Sequence, residues 1–277
     1  MGEFGKICAD IKSMKIQGAV NVARAAVRAL EIRDDPEAVM KLVSLRPTEP
    51  CLRNAIRFVV QNPGKLGPQA IAHFADAEKR IAEYASARVE NDMNIFTHCH
   101  SSAVVSALLT AKKHGKRFSV YCTETRPLFQ GRKTAAELAA AGIPVTIVVD
   151  SAARVAIKKC DLMLIGADAV TSEGKVVNKI GSEMFAMMAD RYDVDCCSCT
   201  DSWKYDPVTV FGKAEPIEER PSSEVWPKAP KGVKMLNLAF EIVESKLIDA
   251  IISEIGVYSP SVFVEKVTEK YPWIEVK

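Results

Sequence analysis

Through the first third of the chain apolar residues recur at three- and four-residue steps. Val20, Ala23, Val27 and Leu30 share one face of a helix, and a second amphipathic run extends from Pro68 towards Val89. Arg46-Pro47-Thr48-Glu49-Pro50 and Asn62-Pro63-Gly64 interrupt the helical pattern, because proline and glycine break the chain direction there. Residues 1–90 therefore read as a helical domain. After about residue 90 short apolar runs at 94–97, 118–123, 145–149, 162–165 and 194–199 predict strands, separated by helical stretches at 101–114, 131–141 and 152–159. Strands alternating with helices long enough for right-handed crossovers predict a parallel sheet covered on both faces. A last strand is expected at 248–252, after an excursion through Pro216, Pro221, Pro227 and Pro230 that reads as an ordered surface loop. The expected class is α/β, with a Rossmann-like parallel-sheet domain over residues 91–277 following the helical one.

Composition narrows the possibilities. The chain has 277 residues, 48% of them apolar and 26% charged, which suits a folded globular protein and not a disordered one. Thirty-seven Lys and Arg against 35 Asp and Glu leave a net charge of +2, so no global field favours nucleic acid or an anionic membrane. An anionic ligand must be held by a local cluster of cations. The longest uncharged apolar stretch, 138–149, contains Gly142 and Pro144 and is shorter than the ~20 residues that span a bilayer. Eight cysteines without framework spacing, and a start without an apolar leader core, point to a reduced, cytoplasmic setting.

Ligands of open parallel sheets bind outside the carboxyl ends of the strands, so the residues directly after each strand carry the functional information. These are Thr97-His98-Cys99-His100-Ser101-Ser102, Thr123-Glu124-Thr125-Arg126-Pro127 running on to Gln130-Gly131-Arg132, Asp150-Ser151-Ala152-Ala153-Arg154, and Gly166-Ala167-Asp168. Asn178-Lys179-Ile180-Gly181-Ser182 is read as opening the next helix. One thiol, carboxylates, cations and helix N-termini on one sheet edge suit a phosphorylated small molecule. Cys99 alone reads more readily as an inert buried thiol, but a strand-to-helix turn places it where a helix N-terminus favours thiolate. His98, Cys99 and His100 are adjacent in an extended segment, so their side chains alternate and do not converge on one metal ion. Cys196-Cys197-x-Cys199 lacks a zinc spacing and reads as buried strand. Asp168 suits either the site or a turn cap.

Together these segments, with Ile16-Gln17-Gly18-Ala19 and Leu45-Arg46-Pro47-Thr48, resemble one superfamily over nearly the whole chain. It comprises ribose-1,5-bisphosphate isomerases, methylthioribose-1-phosphate isomerases and the alpha, beta and delta subunits of translation initiation factor 2B. In its catalytic branches a cysteine and an aspartate stand at the positions of Cys99 and Asp168. The His100-Ser101 continuation and the Asp150-to-Arg154 string look most like the archaeal bisphosphate isomerases.

The resemblance implies an aldose–ketose isomerase making ribulose 1,5-bisphosphate in nucleoside-phosphate salvage. Cys99 would exchange a proton at the reacting carbon or ring oxygen, and Asp168 would act on a sugar hydroxyl; burial side by side would raise both pKa values. Gly18, Arg46, Gln130, Asn178 and Lys179 would grip the substrate, with Lys204 on the far phosphate side. Gln17, Ala19, Ser101 and Ser102 belong to the same loops, and Arg126 and Arg132 are further candidates. No metal and no cofactor are implied, AMP is a candidate activator, and the expected assembly is a homodimer or a hexamer built from dimers. Gln17 stands where the family usually has Arg, and Ser102 where bisphosphate isomerases tend to have Lys. The helical domain is also shorter than usual. The alternatives are isomerisation of methylthioribose 1-phosphate or another 1-phosphopentose, and a non-catalytic initiation-factor-like subunit that binds a sugar phosphate or nucleotide.

Overall fold

The computed structural model describes residues 2–46, 49–213 and 217–275. Pro47, Thr48 and Pro216, named above, lie outside them. Among the described residues the chain opens with helices α1 (Glu3–Lys12), α2 (Ala19–Ile32), α3 (Pro36–Ser44), α4 (Pro50–Val59) and α5 (Pro63–Ala87). The apolar face of α2 is sealed, with Val22, Ala23, Ala26, Val27 and Leu30 almost wholly out of solvent. Helix α5 starts earlier than its apolar pattern indicates. Asn62 caps it by accepting from the Lys65 amide at 3.2 Å, and Pro63 sits in its first turn, where no amide is needed. Pro68 is therefore inside the helix instead of at its start.

The sheet elements follow as β1 (Asn94–Thr97), α6 (Ser102–Lys113), β2 (Ser119–Thr123), α7 (Gln130–Ala140), β3 (Val145–Val148), α8 (Ala153–Ile157) and β4 (Leu162–Gly166). After them come β5 (Ala169–Val170), β6 (Val176–Lys179), α9 (Ser182–Arg191), β7 (Asp195–Cys199), β8 (Phe240–Val243), β9 (Ala250–Ser253), β10 (Gly256–Tyr258) and α10 (Pro260–Lys270). Among the described residues the main sheet has seven strands in the order β10-β9-β7-β4-β1-β2-β3, all parallel except β10. The central strand β4 is buried along its whole length, as expected of a strand covered on both faces.

Three features differ from the expectation of one parallel sheet. β5, β6 and β8 form a separate antiparallel three-stranded sheet. Asn178 and Lys179 close strand β6, and α9 begins only at Ser182, because Gly181 at φ 103° turns the chain before the helix starts. The Pro-rich excursion is a largely exposed surface segment, as expected, but it ends in an unexpected strand, β8, which pairs with β6.

The helical part and the sheet share a core. Trp203, just after β7, is 2% exposed and packs among the apolar residues of α1–α5. The His73 ring stacks on it at 4.1 Å, and Phe58, Phe74 and Trp273 surround it. Asn54 on α4, 1% exposed, donates to the carbonyls of Trp203 at 2.9 Å and Tyr205 at 2.7 Å. Removing that amide leaves both carbonyls buried without a donor. We expect Asn54→Ala to lose about 2–4 kcal/mol in urea unfolding, and a loss below about 0.5 kcal/mol would show that the two bonds do not hold the halves together.

Candidate active site

The strand order reverses between β1 and β4: from β1 the sheet runs to β2 and β3, and from β4 to β7 and β9. A crevice opens where successive crossovers leave in opposite directions. Cys99 follows β1 and Asp168 follows β4, so the two flank this point. Gly166 permits the approach of the two turns, since a side chain there would sit 2.7 Å from the Ser101 hydroxyl. Gly131 likewise has no room for a Cβ, which would lie 1.8 Å from the Thr123 carbonyl, and this seats the first turn of α7 against β2.

A chain of hydroxyls fixes the turn after β1. Cys99 has φ 67°, a conformation uncommon outside glycine; its amide donates to Thr125 Oγ1 at 3.0 Å and its carbonyl accepts from Thr134 Oγ1 at 2.9 Å. His98 Nε2 is 2.9 Å from the Ile180 carbonyl, which can only accept, so Nε2 carries the hydrogen and Nδ1 accepts from Thr123 Oγ1 at 2.5 Å. Burial pushes the His98 imidazole down to about 4 and keeps it neutral. His100 turns instead to Thr134, at 3.1 Å. Asp150 accepts from the Thr125 and Arg126 amides at 2.8 and 2.7 Å, so this carboxylate ties down the loop after β2.

Cys99 is the one cysteine of the eight that is not fully buried. The helix-terminus expectation of a favoured thiolate does not hold for it. Desolvation pushes the thiol up to about 11, against Lys179, which lowers it, and with Asp168 and Asp150, which raise it. Asp168 is also raised, by burial, and is opposed by Lys204, Lys179 and Arg46. Both groups hold their protons more firmly than their free counterparts.

A cleft lies alongside, its wall including Arg46, Gln130, Lys179, Glu218, Arg220 and Asn237. Lys179 belongs to both places, since it lines the cleft and its charge acts on Cys99 and Asp168. Lys204 Nζ donates to the Ala167 carbonyl at 2.6 Å, which holds its charge beside Asp168. Asn178 is buried and donates to Ser182 Oγ at 2.9 Å, and that hydroxyl donates to the Lys179 carbonyl at 2.6 Å, so Asn178 and Ser182 shape the turn that presents Lys179. Gln130 Oε1 is buried without a hydrogen-bond partner among the described residues. Gly18, φ 86°, precedes α2 and is exposed with Gln17, whereas Ala19 is buried; the cleft meets this segment through Met14. Ser101 caps α6 through the Val104 amide at 3.5 Å, and Ser102 is exposed.

Arg126 and Arg132 are not brought into this cluster. Both are exposed and flank the Phe129 ring, at 4.9 and 3.8 Å from its centroid, and Arg132 is paired with Glu124 at 3.0 Å. The structure adds groups that the motif pattern did not single out: Glu49, Glu218, Arg220 and Asn237. Arg46 bonds Glu49 at 3.1 Å and lies 3.6 Å from Glu218. Only the Arg-Pro-Thr-Glu-Pro string hinted at Glu49, and there Glu49 read as a turn residue. His73, Asp201 and Glu254 offer ligand atoms within 4.8 Å of one another. Their oxygens are engaged as acceptors, Asp201 from the Trp203 amide at 2.8 Å and Glu254 from the Ser202 amide at 3.0 Å and the Ser202 hydroxyl, so the cluster anchors the turn that carries Lys204.

With this geometry in view, the model of the family described as "Initiation factor 2 subunit family" matches residues 23–260. The chain is 35% identical to the ribose 1,5-bisphosphate isomerase of Pyrococcus furiosus, covering 98% of this chain and 95% of that one. It is 36% identical to the protein of the same name in Methanocaldococcus jannaschii, over 96% and 94%. The methylthioribose-1-phosphate isomerase of Pelotomaculum thermopropionicum is 31% identical, over 93% and 83%. Among solved structures, a Pyrococcus horikoshii translation initiation factor eIF-2B superposes with a TM-score of 0.86 at 23% identity, over 95% of this chain and all of that one, a likeness of fold.

A thiol at about 11 predicts its own alkylation profile. Native protein treated with iodoacetamide is expected to be labelled at Cys99 before the other cysteines, with a rate rising about tenfold per pH unit from 7 to 10. A rate that levels off by pH 8, read by peptide mass spectrometry, would contradict the raised thiol.

Proposed function

The chain belongs to the initiation factor 2 subunit family, and from that premise we propose that it is an aldose–ketose isomerase that converts ribose 1,5-bisphosphate to ribulose 1,5-bisphosphate. The observation that carries this reading is the juxtaposition of a proton-holding thiol and a proton-holding carboxyl, Cys99 and Asp168, at the sheet's switch point, under the shared charge of Lys179. Bisphosphate isomerases with 35 and 36% identity over nearly the full chain support the substrate.

The chemistry asks for two acid/base groups and no outside oxidant. The ring bond from C1 to its oxygen breaks while the C1 phosphate stays. The proton of the 2-hydroxyl ends on the former ring oxygen, and the hydrogen of C2 ends on C1, so atoms and electrons balance within the sugar. Cys99 exchanges a proton at the reacting carbon or ring oxygen, and Asp168 serves the sugar hydroxyl. A thiol raised to about 11 starts the cycle protonated, which suits donation before abstraction. Arg46, Lys179, Lys204 and Gln130 hold the phosphates and hydroxyls. The working unit is a homodimer or an assembly of dimers in the cytoplasm. Among the described residues no helix is long and apolar enough to cross a membrane.

One observation favours a second reading. Arg46 faces two carboxylates, Glu49 and Glu218, and position 17 carries an exposed Gln and no cation, which suits a substrate with a single phosphate such as methylthioribose 1-phosphate.

Purified protein is expected to form ribulose 1,5-bisphosphate from the ribose isomer, assayed with and without AMP. Cys99→Ser and Asp168→Asn should each lower kcat by about 10²–10⁴-fold. Unchanged turnover in both variants would remove the catalytic assignment. Lys179→Met should raise KM and also lower kcat, because its charge serves the cleft and both acid/base groups.

A further inference from the structure

Glu49 precedes α4 and is 2% exposed, yet it does not cap the helix. Its Oε1 accepts from Arg46 at 3.1 Å, whereas Oε2 is buried with no hydrogen-bond partner among the described residues. A buried ionised carboxylate normally has its lone pairs satisfied, so a bare oxygen beside a cleft arginine is a group short of a partner. Arg46 itself is one cation between two carboxylates, Glu49 and Glu218. An anion arriving at Arg46 would therefore compete with two carboxylates for that guanidinium, with Lys179 and Arg220 the other cations of the cleft, unless one of the two is neutral. Glu218 is partly solvated and has a second cation in Arg220, at 2.8 Å. Glu49 is the desolvated one.

We propose that Glu49 is a substrate-binding acid: its free carboxyl oxygen carries a hydrogen that it donates to the oxyanion held by Arg46, and the site takes up that proton when the anion binds. The proposal rests on reading the cleft as a sugar-phosphate site. The surrounding charges agree with it. Burial and the nearby Asp168 push the Glu49 carboxyl up to about 7 against Arg46 and Lys204, while Glu218 raises it further; the Cys51 thiol also faces it. A bound phosphate adds one more negative neighbour and drives the proton on.

The sign follows. Below pH 7 Glu49 already holds its proton, so anion affinity is flat with pH. Above pH 7 the proton must be acquired on binding, so affinity falls as pH rises, approaching tenfold per unit. Calorimetry in two buffers of different ionisation enthalpy counts the protons. The probes are inorganic sulfate, which does not titrate in this range, and ribulose 1,5-bisphosphate. At pH 8 the wild-type protein is expected to take up close to one proton per sulfate. Glu49→Gln, whose amide donates at any pH, should take up none and bind with an affinity that no longer falls above pH 7. Glu49→Ala replaces it if the glutamine variant does not fold; it should lose the uptake and bind sulfate more weakly than wild type at pH 6.

Equal proton uptake in wild type and variant, no uptake in the wild type, or no anion binding by the wild type overturns the proposal. A role for Glu49 confined to holding Arg46 in place would weaken binding without changing the proton count. Failure of the isomerase reading appears separately, as absent turnover alongside intact sulfate binding.

Discussion

The arrangement depends on one constraint: ionisable groups placed at the reversal of strand order between β1 and β4 are largely desolvated and must be balanced by one another. Cys99 and Asp168 sit on the two sides of that reversal, and Lys179, Lys204 and Arg46 are the cations that offset them. Desolvation outweighs the cations at both groups, so each keeps its proton more tightly than it would in water. That balance is the property an acid/base pair needs when it must first give a proton and then accept one.

The cations are themselves positioned by packing far from the cleft. Lys204 follows Trp203, which is buried in the helical core, and Asn54 fastens the backbone on either side of Lys204 to α4. His73, Asp201 and Glu254 secure the start of the same turn. The helical part is therefore the template for one end of the site, as well as supplying Arg46 and Glu49 directly. Coupling of this kind lets a change in the helical core alter the position of a charge beside Asp168 without touching the cleft.

Much of this was legible in the sequence, for physical reasons. Period-3.6 and short apolar runs marked the helices and the parallel strands because burial on one face or on two writes those patterns directly. The residues after β1 and β4 stood out because parallel sheets present their loops on one edge. The small antiparallel sheet was not legible: β5 has two residues, and β8 joins only after the Pro-rich excursion, so neither carries a periodic signal. Arg126 and Arg132 had the right charge in the right loop, but Phe129 and Glu124 hold them outside. Cys99 sits where a helix dipole favours thiolate, and only its degree of burial reverses that expectation. Glu49 was hidden because a carboxylate between two prolines reads as a turn, and its depth is a tertiary fact.

This balance of buried charge suits a sugar with two phosphates. The decisive measurement is kcat/KM for ribose 1,5-bisphosphate beside methylthioribose 1-phosphate on the same purified protein. The protein is expected to prefer the bisphosphate by about ten- to a hundredfold, the worth of one charge-assisted phosphate contact of ~1.5–3 kcal/mol. Faster turnover of the monophosphate, or turnover of neither, would contradict it.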